Sequence, residues 1–381
     1  MLLRLGRLAF ALGASLMLVG CDGGYYGPSV TSTVVPAKPK FVYTGNYRGS
    51  LSGYSVNAAT GVLTPLAGFP FALGVVPTRV THDPQNRFLI AADIGASKLH
   101  VLAIDGTTGT LTEVQGSPYG TVIEPSSVVV DPSGNHVYVT DQQTNQIGAY
   151  SLGANGALTP IQGEPFTTTS IGSPIGFSSG TASALTDAAG KFLYVIDSIG
   201  IYTFGISSSS GALTLLQNVS GPTAGQGLAL DPAGRYIYAV GAGQDSILTY
   251  NVSSSSGLLA QAFTSPMGQP NGAYTITVSP NGKFAYTIEN TDYLDSYLIQ
   301  NGSLTLVGQS LAGINAYQIA IDPTSTFLYA PQFCQYCFPL YTGPANVVNE
   351  LSIGSTGMVT VVAGSPVASG GAPTGITIIS Q

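Results

Sequence analysis

The 381-residue chain has no tryptophan, only three histidines and three cysteines, and charged residues at just 8% of its length. Each scarcity closes off some chemistry. Basic residues number 11 against 18 acidic, a net charge of −7. The cationic surface that a phosphate backbone demands is therefore missing, and nucleic acid is not expected as a partner. Nor is there a polybasic cluster for anionic lipid headgroups. No histidine follows His136. The stretch "GFSSG" around Ser178 has G-x-S-x-G spacing, but that motif works at a strand-to-helix elbow with an acid and a histidine later in the chain. A flexible Gly/Ser loop accounts for it better. Cys334 and Cys337 form "CQYC" with no histidine after them, which rules out a c-type haem signature, and two thiolates alone do not complete a tetrahedral zinc site. Outside the cytoplasm they read as a local disulfide. A redox pair is the alternative, without a thioredoxin-like pattern behind it. After residue 20 no apolar run has the length a bilayer-spanning helix needs.

The first twenty residues, "MLLRLGRLAFALGASLMLVG", place Arg4 and Arg7 before an apolar stretch and then small residues, the layout of an export signal. Cys21 follows at once, and "LVGC" (18–21) resembles the bacterial lipobox. The resemblance implies cleavage before Cys21 and acylation of its thiol, so that the protein meets a membrane through its lipid anchor only. Asp22 next to it resembles an inner-membrane retention signal of enteric bacteria. Removing Arg4 and Arg7 leaves nine basic residues against 18 acidic ones, a net −9. Residues 21–40, rich in Gly, Pro, Ser and Thr, read as a flexible spacer. The expected location is the bacterial cell envelope, and the expected state is a monomer.

What the chain has in abundance is turn chemistry: 49 glycines and 24 prolines, with 21 tyrosines and 14 phenylalanines. "PTRVTHDPQNRFLIAAD" (77–93) and "PSSVVVDPSGNHVYVTD" (125–141) say nearly the same thing, and the pattern continues. Its anchor residues are Asp83, Asp131, Asp187, Asp231, Ser279 and Asp322, spaced 43 to 56 residues apart, which suits one four-stranded blade per repeat. Each unit reads as an inner strand, a Pro/Gly turn, a second strand such as "FLYVID" or "FAYTIE", a third strand, a Gly-containing turn and a short outer strand. The repeat starts at "FVYTGN" (41–46), a second strand with no first, and ends at "PTGITIIS" (373–380), a first strand with no second. Together they make a seventh blade. The prediction is an all-β, seven-bladed β-propeller over residues 41–381, its ring closed by the C-terminal strand joining the N-terminal blade, which removes the free sheet edge.

The "FLYV" strands, Asp-Pro-x-Gly turns and "LTPIQGEPF"-type outer strands resemble the lactonase-like seven-bladed propellers, relatives of bacterial 6-phosphogluconolactonase and of fungal muconate-lactonizing enzymes. The resemblance spans about residues 41–381 and rests on blade-forming motifs. It implies a lactone hydrolase or isomerase acting on a small-molecule lactone. A non-catalytic envelope propeller that binds a protein or glycan partner is the rival reading.

Stacking the repeats as columns nominates site residues. The ends of the second strands read Asn46, Asp93, Asp141, Asp197, Gly241, Glu289 and Gln332. These residues suit turn capping. The functional alternatives are a divalent cation, calcium or magnesium, held by Asp93, Asp141, Asp197 and Glu289, or a general base supplied by Asp141 or Glu289. Four residues before each anchor stand Arg79, Ser127, Ser183, Gly227, Thr275 and Gln318, with Gly375 in the closing strand. Arg79 is the exception in charge. It is placed to bind a carboxylate, phosphate or oxyanion, or to pair with Asp93 or Glu124. One residue before the anchors, His82 breaks a mostly apolar column, as a general base or a hydrogen-bonded core histidine. His100 and His136 read as structural. The long loop with Phe333, Tyr336 and Phe338 is a candidate lid or partner contact.

Overall fold

The computed structural model describes residues 37–380 apart from 75, 145, 168–182, 199, 271, 290–292, 313–315, 317 and 333–345. Cys21, Ser178, Cys334, Cys337, Phe333, Tyr336 and Phe338 lie outside the described residues. The described chain forms seven antiparallel sheets and no helix. Each sheet is one blade. Blade 1 takes its innermost strand, Pro373–Ser380, from the C-terminus and pairs it with Pro39–Asn46, Val42 facing Ile378 and Thr44 facing Ile376. Blades 2 to 7 follow in order, with inner strands Pro77–His82, Pro125–Val130, Ser183–Thr186, Gly225–Leu230, Ala273–Val278 and Ala320–Ile321.

The second strands are buried on both sides, as in Phe88–Asp93 and Phe284–Glu289, where every residue is buried. That is why they read as nearly unbroken apolar runs rather than as alternating ones. No single core exists. Seven apolar clusters each sit between neighbouring blades; one joins Tyr43 and Leu51 of blade 1 to Leu89 and Leu102 of blade 2.

The anchor aspartates hold the turns between first and second strands. In blade 2, Asp83 Oδ1 accepts from the backbone N–H of Arg87 (2.6 Å) and Phe88 (2.7 Å). Asp131, Asp187, Asp231 and Asp322 do the same four and five residues ahead. Blade 6 has Ser279, whose hydroxyl accepts only from Phe284 N–H (3.0 Å), while Asn281 Oδ1 takes the Lys283 N–H (3.0 Å). Two short side chains replace one carboxylate.

A second repeated contact runs between blades. The tyrosine of the second strand donates its hydroxyl to a glycine carbonyl in the third-to-fourth-strand turn of the next blade. The pairs are Tyr43 to Gly109 (2.7 Å), Tyr138 to Gly211 (2.8 Å), and Tyr194 to Gly257, Tyr286 to Gly357 and Tyr329 to Gly61 (3.0 Å each). The turn glycines have positive φ and lie under an aromatic ring of the preceding blade. A Cβ on Gly257 would come within 2.5 Å of Phe192, and one on Gly61 within 2.3 Å of Phe327. Blade 2 carries Ile90 at the tyrosine position. Tyr238 of blade 5 is buried with no partner for its hydroxyl among the described residues. Its neighbour, blade 6, joins Tyr293–Gln300 to Ser303–Ala312 through Asn301 and Gly302 alone, so the longer turn that would supply a carbonyl is absent.

The outer strands correct one expectation. They are short and broken in blades 1, 2, 3 and 7, where a proline interrupts the run: Pro70, Pro118, Pro165 and Pro366. In blades 4 to 6 they are continuous over eight to ten residues, Leu213–Ser220, Leu259–Pro266 and Ser303–Ala312, because no proline interrupts them.

Two measurements test this architecture. Deleting residues 373–381 strips the inner strand from blade 1 and is expected to abolish cooperative urea unfolding of the whole propeller. Tyr286→Phe leaves a buried carbonyl without its donor and should cost about 1–3 kcal/mol, whereas Tyr238→Phe, which removes an unpaired buried hydroxyl, should be neutral or stabilising.

Candidate functional site

Antiparallel order puts the second-to-third and fourth-to-first connections of every blade on one face, called here the upper face. The inner strands start there. Their first residues enclose a cavity of about 230 Å³ on the propeller axis, walled by blades 2 to 7. Arg79, Ser127, Ser183, Gly227, Thr275 and Gln318 all line it, so six members of the inner column meet in one place. The seventh, Gly375, lies against blade 2: a Cβ there would stand 3.1 Å from Arg79 Cα and 2.8 Å from the Thr78 carbonyl oxygen. The missing side chain lets the closing strand seat beside Arg79.

Among the described residues Arg79 is the only charged one in the wall. Its Nε donates to the Ser126 carbonyl at 2.9 Å, which ties the guanidinium to blade 3. Around it stand hydroxyls of Ser127, Ser183, Thr275 and Thr277 and the amides of Gln226 and Gln318. Gln318 Oε1 also accepts from Ile376 N–H at 3.2 Å, stitching blade 7 to the closing strand. The wall thus combines one fixed cation with groups that both donate and accept hydrogen bonds. Such a surface recognises an oxygen-rich molecule carrying a negative or developing negative charge. Gln226 and Tyr274, also in the wall, were not singled out from the sequence, since neither stands in the stacked column.

The acids of the second-strand ends do not share this cavity. Asp93 Oδ1 accepts from Val76 N–H (3.0 Å) and Gly95 N–H (2.9 Å). Asp141 accepts from the N–H groups of Ile123 (2.9 Å), Gln143 (2.7 Å) and Thr144 (3.1 Å), and Asp197 from Gly200 N–H (2.9 Å). Each carboxylate caps its own loop or ties down the preceding interblade connection, the turn-capping role. Among the described residues no group of three or more His, Cys, Asp or Glu is arranged to hold a metal ion. Asp93, Asp141, Asp197 and Glu289 stay in four separate blades.

His82 sits toward the far end of the same strand as Arg79, outside the cavity wall. Its Nδ1 is 2.7 Å from Thr377 Oγ1 of the closing strand, and burial pushes its pKa below the ordinary histidine value, against a smaller opposing effect from the charge of Asp83. A neutral imidazole joining blades 1 and 2 is a seam contact. His100 meets Glu113 at 2.7 Å and His136 meets Asp131 at 3.1 Å. The structure therefore does not assemble Arg79, His82, Asp141 and Glu289 into one constellation.

One feature of this region escaped the columns. Glu289 faces Asp295 on the third strand of blade 6, both fully buried. Asp295 accepts from Gly268 N–H (3.0 Å), Tyr297 hydroxyl (3.2 Å) and Gln309 Nε2 (3.0 Å). Glu289 receives only Gln269 N–H (3.3 Å), and its Oε2 has no partner among the described residues. Burial first, then the proximity and charge of Asp295, raises the Glu289 pKa far above the usual carboxyl range. Glu289 is thereby held in its protonated form at neutral pH. The sequence signal was an aspartate inside the "YLDSYL" strand, where the other blades place Ser52, His100, Gly148, Tyr202, Leu248 and Asn349.

Residues 27–272 match the family described as Lactonase, 7-bladed beta-propeller, and the chain belongs to that family. The match ends before blades 6 and 7 and the closing strand, which the structure supplies. Among solved structures, the chain is similar to a putative 6-phosphogluconolactonase from Bacteroides uniformis (TM-score 0.75, 20% identity, 90% of this chain and 100% of that one). One from Bacteroides fragilis is equally close in shape (0.75, 19%, 93% and 100%). A periplasmic gluconolactonase from Pseudomonas aeruginosa follows (0.72, 14%, 89% and 99%). These likenesses are of fold. No curated protein matches the chain in sequence.

The buried pair has a pH signature. The unfolded chain ionises Glu289 near pH 4.3, while the folded protein keeps it protonated well above that. Stability should fall as pH rises through this window, because the unfolded state binds fewer protons there. Glu289→Gln, which keeps a neutral donor, should raise the Tm at pH 8 and leave it unchanged below pH 4; equal pH slopes for the two proteins would count against a protonated Glu289.

Proposed function

We propose that the protein is a lactone hydrolase of the bacterial cell envelope, working as a monomer held to a membrane by an acylated Cys21. The reading is supported by family membership and by one observation of geometry: Arg79 as the sole cation, among the described residues, in an axial cavity lined by neutral polar and apolar side chains. A lactone is an internal ester. Attack of water on its carbonyl carbon, with one proton passing to solvent, makes a tetrahedral oxyanion; collapse breaks the ring C–O bond, and the alkoxide takes a proton from solvent to give a hydroxy acid. The Arg79 guanidinium is placed to accept the charge that develops on the carbonyl oxygen and then to hold the carboxylate product. Among the described residues the wall holds no carboxylate or imidazole, so charge stabilisation and positioning carry the rate enhancement here.

That last observation also favours the second reading, a non-catalytic envelope propeller whose cavity binds a glycan-like ligand without turning it over. Proton release from a panel of sugar and aliphatic lactones separates the two. The hydrolase reading expects turnover by the full chain that drops about 10²-fold or more in Arg79→Ala. No turnover above the spontaneous rate on any lactone, with or without added calcium or magnesium, would leave the binding reading.

A further inference from the structure

We infer that the axial cavity takes an unphosphorylated, monocyclic polyhydroxy lactone and its open-chain carboxylate, and rejects phosphorylated sugars. The inference rests on the assignment of the cavity as the ligand site.

It follows from where the cations stand. Nine lysines and arginines lie beyond the first twenty residues. Arg87, Lys191, Arg235 and Lys283 occupy turns between first and second strands, on the face opposite the cavity mouth. Two of these are held there by the anchor carboxylates: Arg87 Nε meets Asp83 at 2.7 Å, and Arg235 Nε meets Asp231 at 3.3 Å. Lys38 and Lys40 precede or open the second strand of blade 1, on that same opposite face, and Lys40 Nζ donates to the Gly106 carbonyl. Arg48, in the second-to-third-strand loop of blade 1 beside Gly371, and Lys98, at the start of the third strand of blade 2, lie on the upper face but neither lines the cavity wall. Arg79 alone remains.

One guanidinium balances one negative charge. A sugar carrying both a carboxylate and a phosphate would bring about three charges at neutral pH. A buried excess of that size, without a second cation, is strongly unfavourable. Phosphate recognition in proteins uses several converging donors with at least one cation dedicated to the group. Here the rest of the wall is uncharged, part polar and part apolar, with Leu228 and Ile319 among the apolar members. Ser127, Ser183, Thr275 and Thr277 offer hydroxyls, and Gln226 and Gln318 offer amides, matched to the hydroxyls of a neutral polyol. The volume, about 230 Å³, falls below the roughly 300–1,000 Å³ of drug-sized ligand pockets and suits one ring.

The test is direct binding to the full chain by titration calorimetry, with gluconate and 6-phosphogluconate as probes. Gluconate should bind, at least tenfold more tightly than 6-phosphogluconate, and Arg79→Gln should weaken gluconate by tenfold or more. Ser183→Arg, which adds a second cation to the wall, should narrow or reverse the preference for the unphosphorylated acid. Equal or tighter binding of 6-phosphogluconate by the unaltered protein would overturn the inference, as would gluconate binding that ignores Arg79→Gln or the absence of binding by either acid. Because the readout is binding, its outcome is separable from the hydrolase reading. Selective gluconate binding without lactone turnover keeps the substrate class and removes the catalysis. Lactone turnover with a preference for phosphorylated substrates does the reverse.

Discussion

Each blade of this protein is a sheet that cannot cover its own faces, and the contact that solves the problem is always with the next blade. The apolar clusters lie between sheets, and the tyrosine hydroxyl that crosses to a glycine carbonyl fixes how far one blade is rotated against its neighbour. The rest follows from that contact. A set of sheets each leaning on the next is complete only as a ring, and a ring of strands that begin on one face leaves an axial space there. The site is a by-product of the packing rule, furnished by whichever residues stand first in the inner strands.

The same rule governs charge. Nearly all the acids the columns nominate are occupied by backbone N–H groups. The anchor aspartates hold the lower turns and the strand-end acids hold the upper loops. Four of the nine later cations sit in the lower turns beside them. A chain with so few charged residues, and with most of them engaged in turns, has little left for its centre. The cavity is accordingly polar but nearly uncharged, and Arg79 stands out in it because everything around it is neutral. The strand-end carboxylates, which stand outside the cavity wall, do not change that balance.

Fold and closure were legible because they repeat. Seven copies of one pattern, with half a blade at each end, define a ring without reference to any outside protein, and the six members of the inner column were found on the cavity wall where the stacking put them. What the columns did not show was whether a polar side chain points to the axis or to a loop. Asp141 and Arg79 are both polar residues near the upper ends of strands in adjacent blades, yet one is turned toward peptide N–H groups and the other lines the cavity. Orientation of that kind depends on which backbone groups lack partners, and this is decided between blades. The Glu289–Asp295 pair was missed for the opposite reason. It occurs in one blade only, and a method that reads repetition is blind to an exception. The tyrosines were visible as part of each "FLY" or "FAY" strand, but their partners lie 63 to 73 residues ahead in four of the blades, in the next repeat, and read as ordinary turn glycines.

The closing strand has a consequence for time as well as for shape. A chain made from its N-terminus holds Pro39–Asn46 from the start but receives Pro373–Ser380 last. For the whole of synthesis the first blade keeps one open edge, and the growing array keeps another. Six blades can be in hand while the ring is still a crescent with two exposed sheet faces. Completion of the ring therefore waits for the closing strand: a chain cut short of Pro373–Ser380 has no finished first blade for its last blade to meet.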